Sequence, residues 1–330
     1  MEYNKQNDAE NDVFDMPEGT PSFPALLTVS PSPHQKTSTH VPRMMVDVLI
    51  ALLPAYIFGV VWFGLNALVL GVVSVAACML SELVFEKLLR RPVTVMDGSA
   101  AVTGLLLAMN VPVTVPIPYL VIADVFAIVI VKCLFGGLGC NPVNPAITGR
   151  VFMLIAFGSM TVQAMPTVVD AVSSATPLAA ETSIGLKELL LGLHGGAIGE
   201  TCAIALLLGG IYLLARRVIT WHVPVAFIGS VYICSFFMEG MDPIRALELV
   251  LSGGLLIGAI FMATDYVTSP STSWGKIIFG VGAGLVTFLI RYFGTYPEGV
   301  SFAILFMNIL TPYIDSWTKH RVLGTGGIKA

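Results

Sequence analysis

GLLLAMNVPVTVP, residues 104–116, and GAIFMATDYVTSP, residues 258–270, decide how this chain folds. At an offset of 154 residues Gly104 falls on Gly258, Val113 on Val267, Thr114 on Thr268 and Pro116 on Pro270. Each stretch is an apolar run bounded by residues that interrupt a helix. Asp97-Gly98-Ser99 opens the first and Asn110-Val111-Pro112 closes it. Ser252-Gly253-Gly254 and Thr264-Asp265, followed by Pro270, bracket the second. The same offset carries 66–85 onto 220–239, 118–135 onto 272–289 and 145–160 onto 299–314. Transporter folds built from inverted repeats show this kind of internal similarity, with interrupted helices near the membrane midplane. Backbone that leaves helical geometry at that depth must be buried in protein or line a cavity. A plainer reading stays open, in which the two runs are short helices ending at interfacial caps.

Outward from these hinges the chain is apolar. Of its 330 residues 55% are hydrophobic and only 12% charged, against roughly 25% charged in a soluble domain. That excludes a water-soluble enzyme. Seventeen Lys and Arg against 21 Asp and Glu give net charge -4, so there is no basic field for nucleic acid. Apolar stretches recur near 46–63, 66–85, 99–110, 118–135, 146–160, 198–215, 222–238, 248–263, 275–291 and 299–315. Read as spans, they predict an all-α polytopic membrane protein of about ten transmembrane helices. Five helices per repeat is an odd number, so the two repeats are inverted.

Charge orients the chain. With the N-terminus in the cytoplasm, 14 Lys and Arg lie inside, and only Lys187, Arg245 and Arg291 lie outside. The positive-inside rule therefore puts both termini in the cytoplasm. The expected organisation is a polar, largely disordered cytoplasmic tail (1–42), a first five-helix repeat (43–160) and an extracytoplasmic loop (161–197). A second repeat (198–316) and a short cytoplasmic tail (317–330) follow. The first 42 residues contain no apolar h-region, so no cleavable signal peptide is expected.

Few side chains offer chemistry of their own. The five cysteines form no CxxC and the five histidines do not cluster, so no metal or triad reading holds. Cys140, in the loop GGLGCNPVNP, is positioned to face a partner's metal centre or to be a plain loop residue. Acids inside apolar runs default to ion or proton handling, which makes Asp124, Asp47 and Glu200 candidates for an ion path. Asp47 and Glu82 fall near the ends of their runs, where a carboxylate can also reach the interface. The segment Gly136–Phe152 gathers Gly, Asn141, Asn144 and Arg150, a set suited to a phosphate or carboxylate ligand or to a long anchored turn. DAVSSATPL, residues 170–178, is by itself a Ser/Thr-rich loop.

Taken together, MMVDVLIALLPA (44–55), MDGSAAVTGLLLA (96–108), GGLGCNPVNPAITGRVF (136–152), DAVSSATPL and FMATDYVTSP (261–270) resemble one family. The chain is similar to the D subunits of Rnf electron-transport complexes and to the related B subunits of sodium-pumping NADH:quinone reductases. The resemblance implies FMN attached through its phosphate to a threonine by a dedicated flavin transferase, within a pattern like D-x-x-S/T-G-A-T. Asp170, Ser173, Ala175 and the acceptor Thr176 match, while Ser174 stands in place of Gly. It further implies a second, non-covalent riboflavin in some members, sought here around Asn141, Asn144, Arg150, Asp97, Thr264 and Asp265. The implied partners are the A, B, C, E and G subunits of the Rnf complex, the transferase and the lipid bilayer. The implied function is an electron relay in a ferredoxin:NAD oxidoreductase that moves Na+ or H+. The competing reading is a redox-silent channel or transporter, which the same repeats would suit equally well.

Overall fold

Pro42, Pro118, Pro145 and Pro243 each stand in the first turn of a helix, where the missing N–H has no intrahelical partner to lose. Asn144 and Asp242 cap two of these helices, their side-chain oxygens accepting from the backbone N–H groups of Ala146 and Ile147, and of Ile244 and Arg245. Local signals of this kind start the helices of the computed structural model, which describes residues 40–158, 186–192, 195–294 and 299–319.

The first half runs through α1 (Val41–Phe63), α2 (Leu65–Leu88), α3 (Ser99–Met109), α4 (Ile117–Val125) and α5 (Pro145–Phe157). Helix α4 continues without a break as π-helical turns over Phe126–Cys133. After the short α6 (Leu186–Leu191) come α7 (Ala203–Ala215), α8 (His222–Met238), α9 (Pro243–Leu251) and α10 (Leu255–Ile257, continued as π-helical turns Gly258–Met262). Helices α11 (Ser273–Phe293) and α12 (Val300–Thr318) complete the second half. No β-strand is present among the described residues.

By length and apolarity α1, α2 and α11 each suffice to cross a bilayer, and Pro243–Leu251 with Leu255–Met262 qualifies as a pair bent by 70°. Shorter apolar helices fill the other expected stretches. Two boundaries differ from the sequence expectation. Helix α7 begins at Ala203 rather than near 198, because Ile198 and Gly199 donate their backbone N–H to Val111 O (3.2 Å) and Met109 O (2.7 Å). Helix α9 begins at Pro243 rather than near 248; its first turn carries Arg245, which interrupts the apolar run.

The packing order repeats. In the first half α2 packs on α3 and α4, and α4 on α5; in the second, α8 packs on α9, the π turns after α10 and α11, and α11 on α12. Contacts α1–α7 and α5–α12 join the halves. Gly104 lets α3 approach α2 closely, since a Cβ there would press on the backbone at Ser74 and Val75. Large apolar side chains such as Val61, Leu65, Val72, Phe293 and Trp317 point outward, while Asp124, Lys132, Glu82, Asn308 and Thr287 are buried. An apolar exterior around a polar interior marks a multi-pass membrane protein.

Candidate functional site

The two interrupted helices meet at their ends. Asn110, which ends α3, donates to Leu106 O (2.6 Å) and touches Met262 Sδ (3.7 Å) at the end of the π turns after α10. Asn144 donates to Met262 O (3.1 Å) while its Oδ1 caps α5. Asn308 of α12, its amide oriented by its neighbours, donates to Thr268 O (3.2 Å) and accepts from Asn144 N (3.1 Å). Buried amides thus satisfy the backbone groups that the helix breaks expose.

Beside this junction is a narrow cavity, about 90 Å³ of water-sized space within about 810 Å³ of unfilled volume counting its mouth. Asn141, Asn144, Thr264 and Asp265 all line it, with Ser99, Thr103 and Lys132 on the α3–α4 side. Met45, Val48, Leu106 and Phe261 supply apolar walls. Thr264 Oγ1 donates to Ile260 O (2.6 Å), and Asp265 Oδ2 accepts from Thr268 Oγ1 (3.1 Å). An apolar slot with a few convergent polar groups is the usual form of a small-molecule site.

Arg150 and Asp97 are not among the residues lining this cavity. Arg150 is buried deeper, donating to Asn110 Oδ1 (2.7 Å) and Glu200 Oε1 (3.4 Å). Glu200 Oε2 accepts from Ala197 N (3.4 Å). The pair sits against the α9–α10 break, where a Cβ on Gly254 would meet both Glu200 Oε1 and Arg150 Nη1. Across the same break Arg291 of α11 donates to Leu249 O (2.7 Å) and Ser252 O (3.2 Å), satisfying carbonyls that α9 leaves open. Asp97 is on the far side of Ser99, its Oδ1 accepting from Ser99 N (2.8 Å) and Oγ (2.5 Å).

The acids fall into three settings. Asp47 accepts from Tyr212 Oη (2.9 Å) and Arg216 Nη2 (3.2 Å) where α1 meets the end of α7. Asp124 is fully buried, accepts on Oδ1 from Ser74 Oγ (2.7 Å) and Cys78 Sγ (3.4 Å), and has no partner on Oδ2. Glu82 does not reach the interface. It is 1% exposed and pairs with Lys132 Nζ at 2.5 Å. Of the residues expected to carry flavin, Asp170, Ser173 and Thr176 lie outside the described residues, as do residues 1–39 and 320–330.

A sequence model of the family described as NQR2, RnfD, RnfE matches residues 28–324, which is most of the chain. The chain belongs to the NQR2, RnfD, RnfE family. It is 45% identical over 312 residues to the D subunit of the Na(+)-translocating ferredoxin:NAD(+) oxidoreductase complex of Acetobacterium woodii, covering 92% of this chain and 97% of the relative. It is 42% identical over 321 residues to the proton-translocating counterpart of Clostridium ljungdahlii, covering 91% and 97%. The D subunit of the ion-translocating oxidoreductase complex of Escherichia fergusonii is 34% identical over 349 residues, covering 91% and 99%.

In this NQR2, RnfD, RnfE family member the sequence reading passed over Lys132, Ser99, Arg291 and Asn308. Lys132 is hidden inside the run IVIVKCLF, and its partner is fifty residues away. One signal was available: Ser74, Cys78, Glu82 and Glu86 recur every fourth residue and so share one face of α2.

Proposed function

We propose that this chain is the D subunit of an ion-translocating ferredoxin:NAD+ oxidoreductase, relaying electrons between partner subunits and forming part of the ion path. The observation that carries the reading is 45% identity across 92% of the chain to a subunit with that printed role. In this reading Thr176 holds FMN through its phosphate, with Asp170 and Ser173 as the other polar matches of the attachment motif. A bound flavin supplies the electron-transfer chemistry. The chain's part is to hold it at a fixed place and keep the cofactor from diffusing away.

The cavity beside the α3–α10 junction supports a second flavin, a flat ring system suited to a narrow slot. Asn141 and Asn144 offer amide donors and acceptors, Thr264 a hydroxyl and Asp265 an acceptor; Asp97 acts on the slot only through Ser99. Arg150 serves the junction rather than the slot. The repeated packing order supports ten spans in two inverted repeats, and the charge split supports cytoplasmic termini with Thr176 outside. The A, B, C, E and G subunits of the Rnf complex and a flavin transferase are the partners of this reading. Asp124, with an unpartnered buried oxygen, suits the ion path better than Asp47 or Glu200, which arginines hold.

The test is in-gel flavin fluorescence of the denatured subunit, wild type beside Thr176→Ala, from cells that contain the transferase. A fluorescent band lost in the variant is expected. A dark wild-type band would overturn the covalent-flavin reading and leave the redox-silent transporter in its place.

A further inference from the structure

A lysine enclosed in a membrane protein needs an occupation. Lys132 is 2% exposed, and its ammonium lies 2.5 Å from Glu82 Oε1 and 2.6 Å from Ser99 Oγ. It is carried by the π-helical turns that prolong α4, where Leu134 N bonds to Val129 O and Gly137 N to Lys132 O. Such turns are rare and cluster at functional sites. Glu82 Oε2 has no partner although the side chain is almost wholly enclosed. A buried carboxylate oxygen left open costs free energy unless something visits it.

Glu82 also forms the floor of a vestibule. About 760 Å³ of water-sized space opens beside it, walled by Glu86, Arg91, Thr94, Asp97 and Gly136. Glu86 is fixed there by the backbone N–H and hydroxyl of Thr94. On the opposite side Ser99 and Lys132 face the narrow cavity beside the α3–α10 junction. The ammonium therefore stands in the wall between two cavities. Further along the same face of α2, Cys78 and Ser74 lead to Asp124, whose Oδ2 is also unpartnered.

We propose that Glu82 and Ser99 form a site for the translocated monovalent cation, reached from the vestibule, and that Lys132 is a tethered cation holding that site between passages. The assignment rests on the ion-translocation reading above and deepens it. An ammonium is a compact point charge with three donors, so a sodium ion or a proton on Glu82 replaces its charge with little rearrangement of the oxygens. When a cation arrives, Lys132 is released toward the adjoining cavity; when it leaves toward Asp124, Lys132 returns. The charged and titratable groups facing Glu82 are Lys132 and Cys133 from the π turns, Asp97 at the hinge, and Cys78 and Glu86 on its own helix, with Arg91 at the vestibule wall.

The test begins with the intact purified complex and a hydrophobic carbodiimide, with modification of Glu82 followed by mass spectrometry. If sodium is the cation, sodium at ten times its dissociation constant slows labelling about tenfold. If the proton is the cation, labelling accelerates on acidification and ignores sodium. Labelling indifferent to both overturns the proposal. A second arm uses inverted membrane vesicles driven by reduced ferredoxin and NAD+, comparing wild type with the double variant Glu82→Gln/Lys132→Met. The double variant keeps the packing neutral and is expected to assemble, judged by co-purifying subunits, yet to lose sodium or proton uptake. Uptake at the wild-type rate would make the pair purely structural and overturn the proposal. Wild-type vesicles that move neither ion would instead bring down the functional reading itself.

Discussion

Two buried ion pairs bridge the interior, and they are built to opposite ends. Arg150 and Glu200 form a closed clasp: the guanidinium also holds Asn110, and both Glu200 oxygens have partners. Lys132 and Glu82 form an open one, with an unpartnered carboxylate oxygen and a water-sized vestibule against it. A closed pair fixes geometry and an open pair can exchange. The clasp holds α5 and the segment before α7 against the α9–α10 break, where a structural role is needed because the backbone there has left the helix. The open pair lies where ions could come and go.

Substitutions separate the two. Arg150→Leu strands Glu200 in the interior and should cost about 3–5 kcal/mol, read as loss of folded, solubilised subunit in a thermal denaturation series. Gly254→Ala drives a methyl group into the same clasp and should cost about 1–3 kcal/mol in the same assay. Lys132→Met should cost less than Arg150→Leu, about 1–2 kcal/mol, because the vestibule lets water or a proton compensate Glu82; an equal loss would show that the open pair is as closed as the other. Arg216→Ala, which breaks the exposed pair with Asp47, should leave the thermal midpoint unchanged, since such pairs contribute little.

Much of the fold was legible because lipid demands it. Long apolar runs mark helices whatever their partners, so α1, α2, α8 and α11 fall close to the predicted stretches. The hinges at Asp97-Gly98-Ser99 and Ser252-Gly253-Gly254 were legible through their helix-breaking residues. The start of α9 was not, because that helix is amphipathic, with Arg245 and Glu248 paired along it at 3.1 Å. The slot residues Asn141, Asn144, Thr264 and Asp265 could be named from their interrupted motifs, and the structure brings all four to one cavity. Arg150's partner and the Lys132–Glu82 pair could not, because each joins residues fifty positions apart and hydropathy carries no information about pairing. Position along the run also misled, since Glu82 near a span's end reads as interfacial but is enclosed by the hinge and the π turns.

The central claim is that electrons passing through this chain drive ion movement. Its most direct test is ion uptake by inverted vesicles energised with reduced ferredoxin and NAD+, wild type against Thr176→Ala in complexes of equal subunit content. The account predicts sodium or proton uptake in the wild type and none in the variant. Uptake that survives loss of Thr176 at the wild-type rate would contradict it.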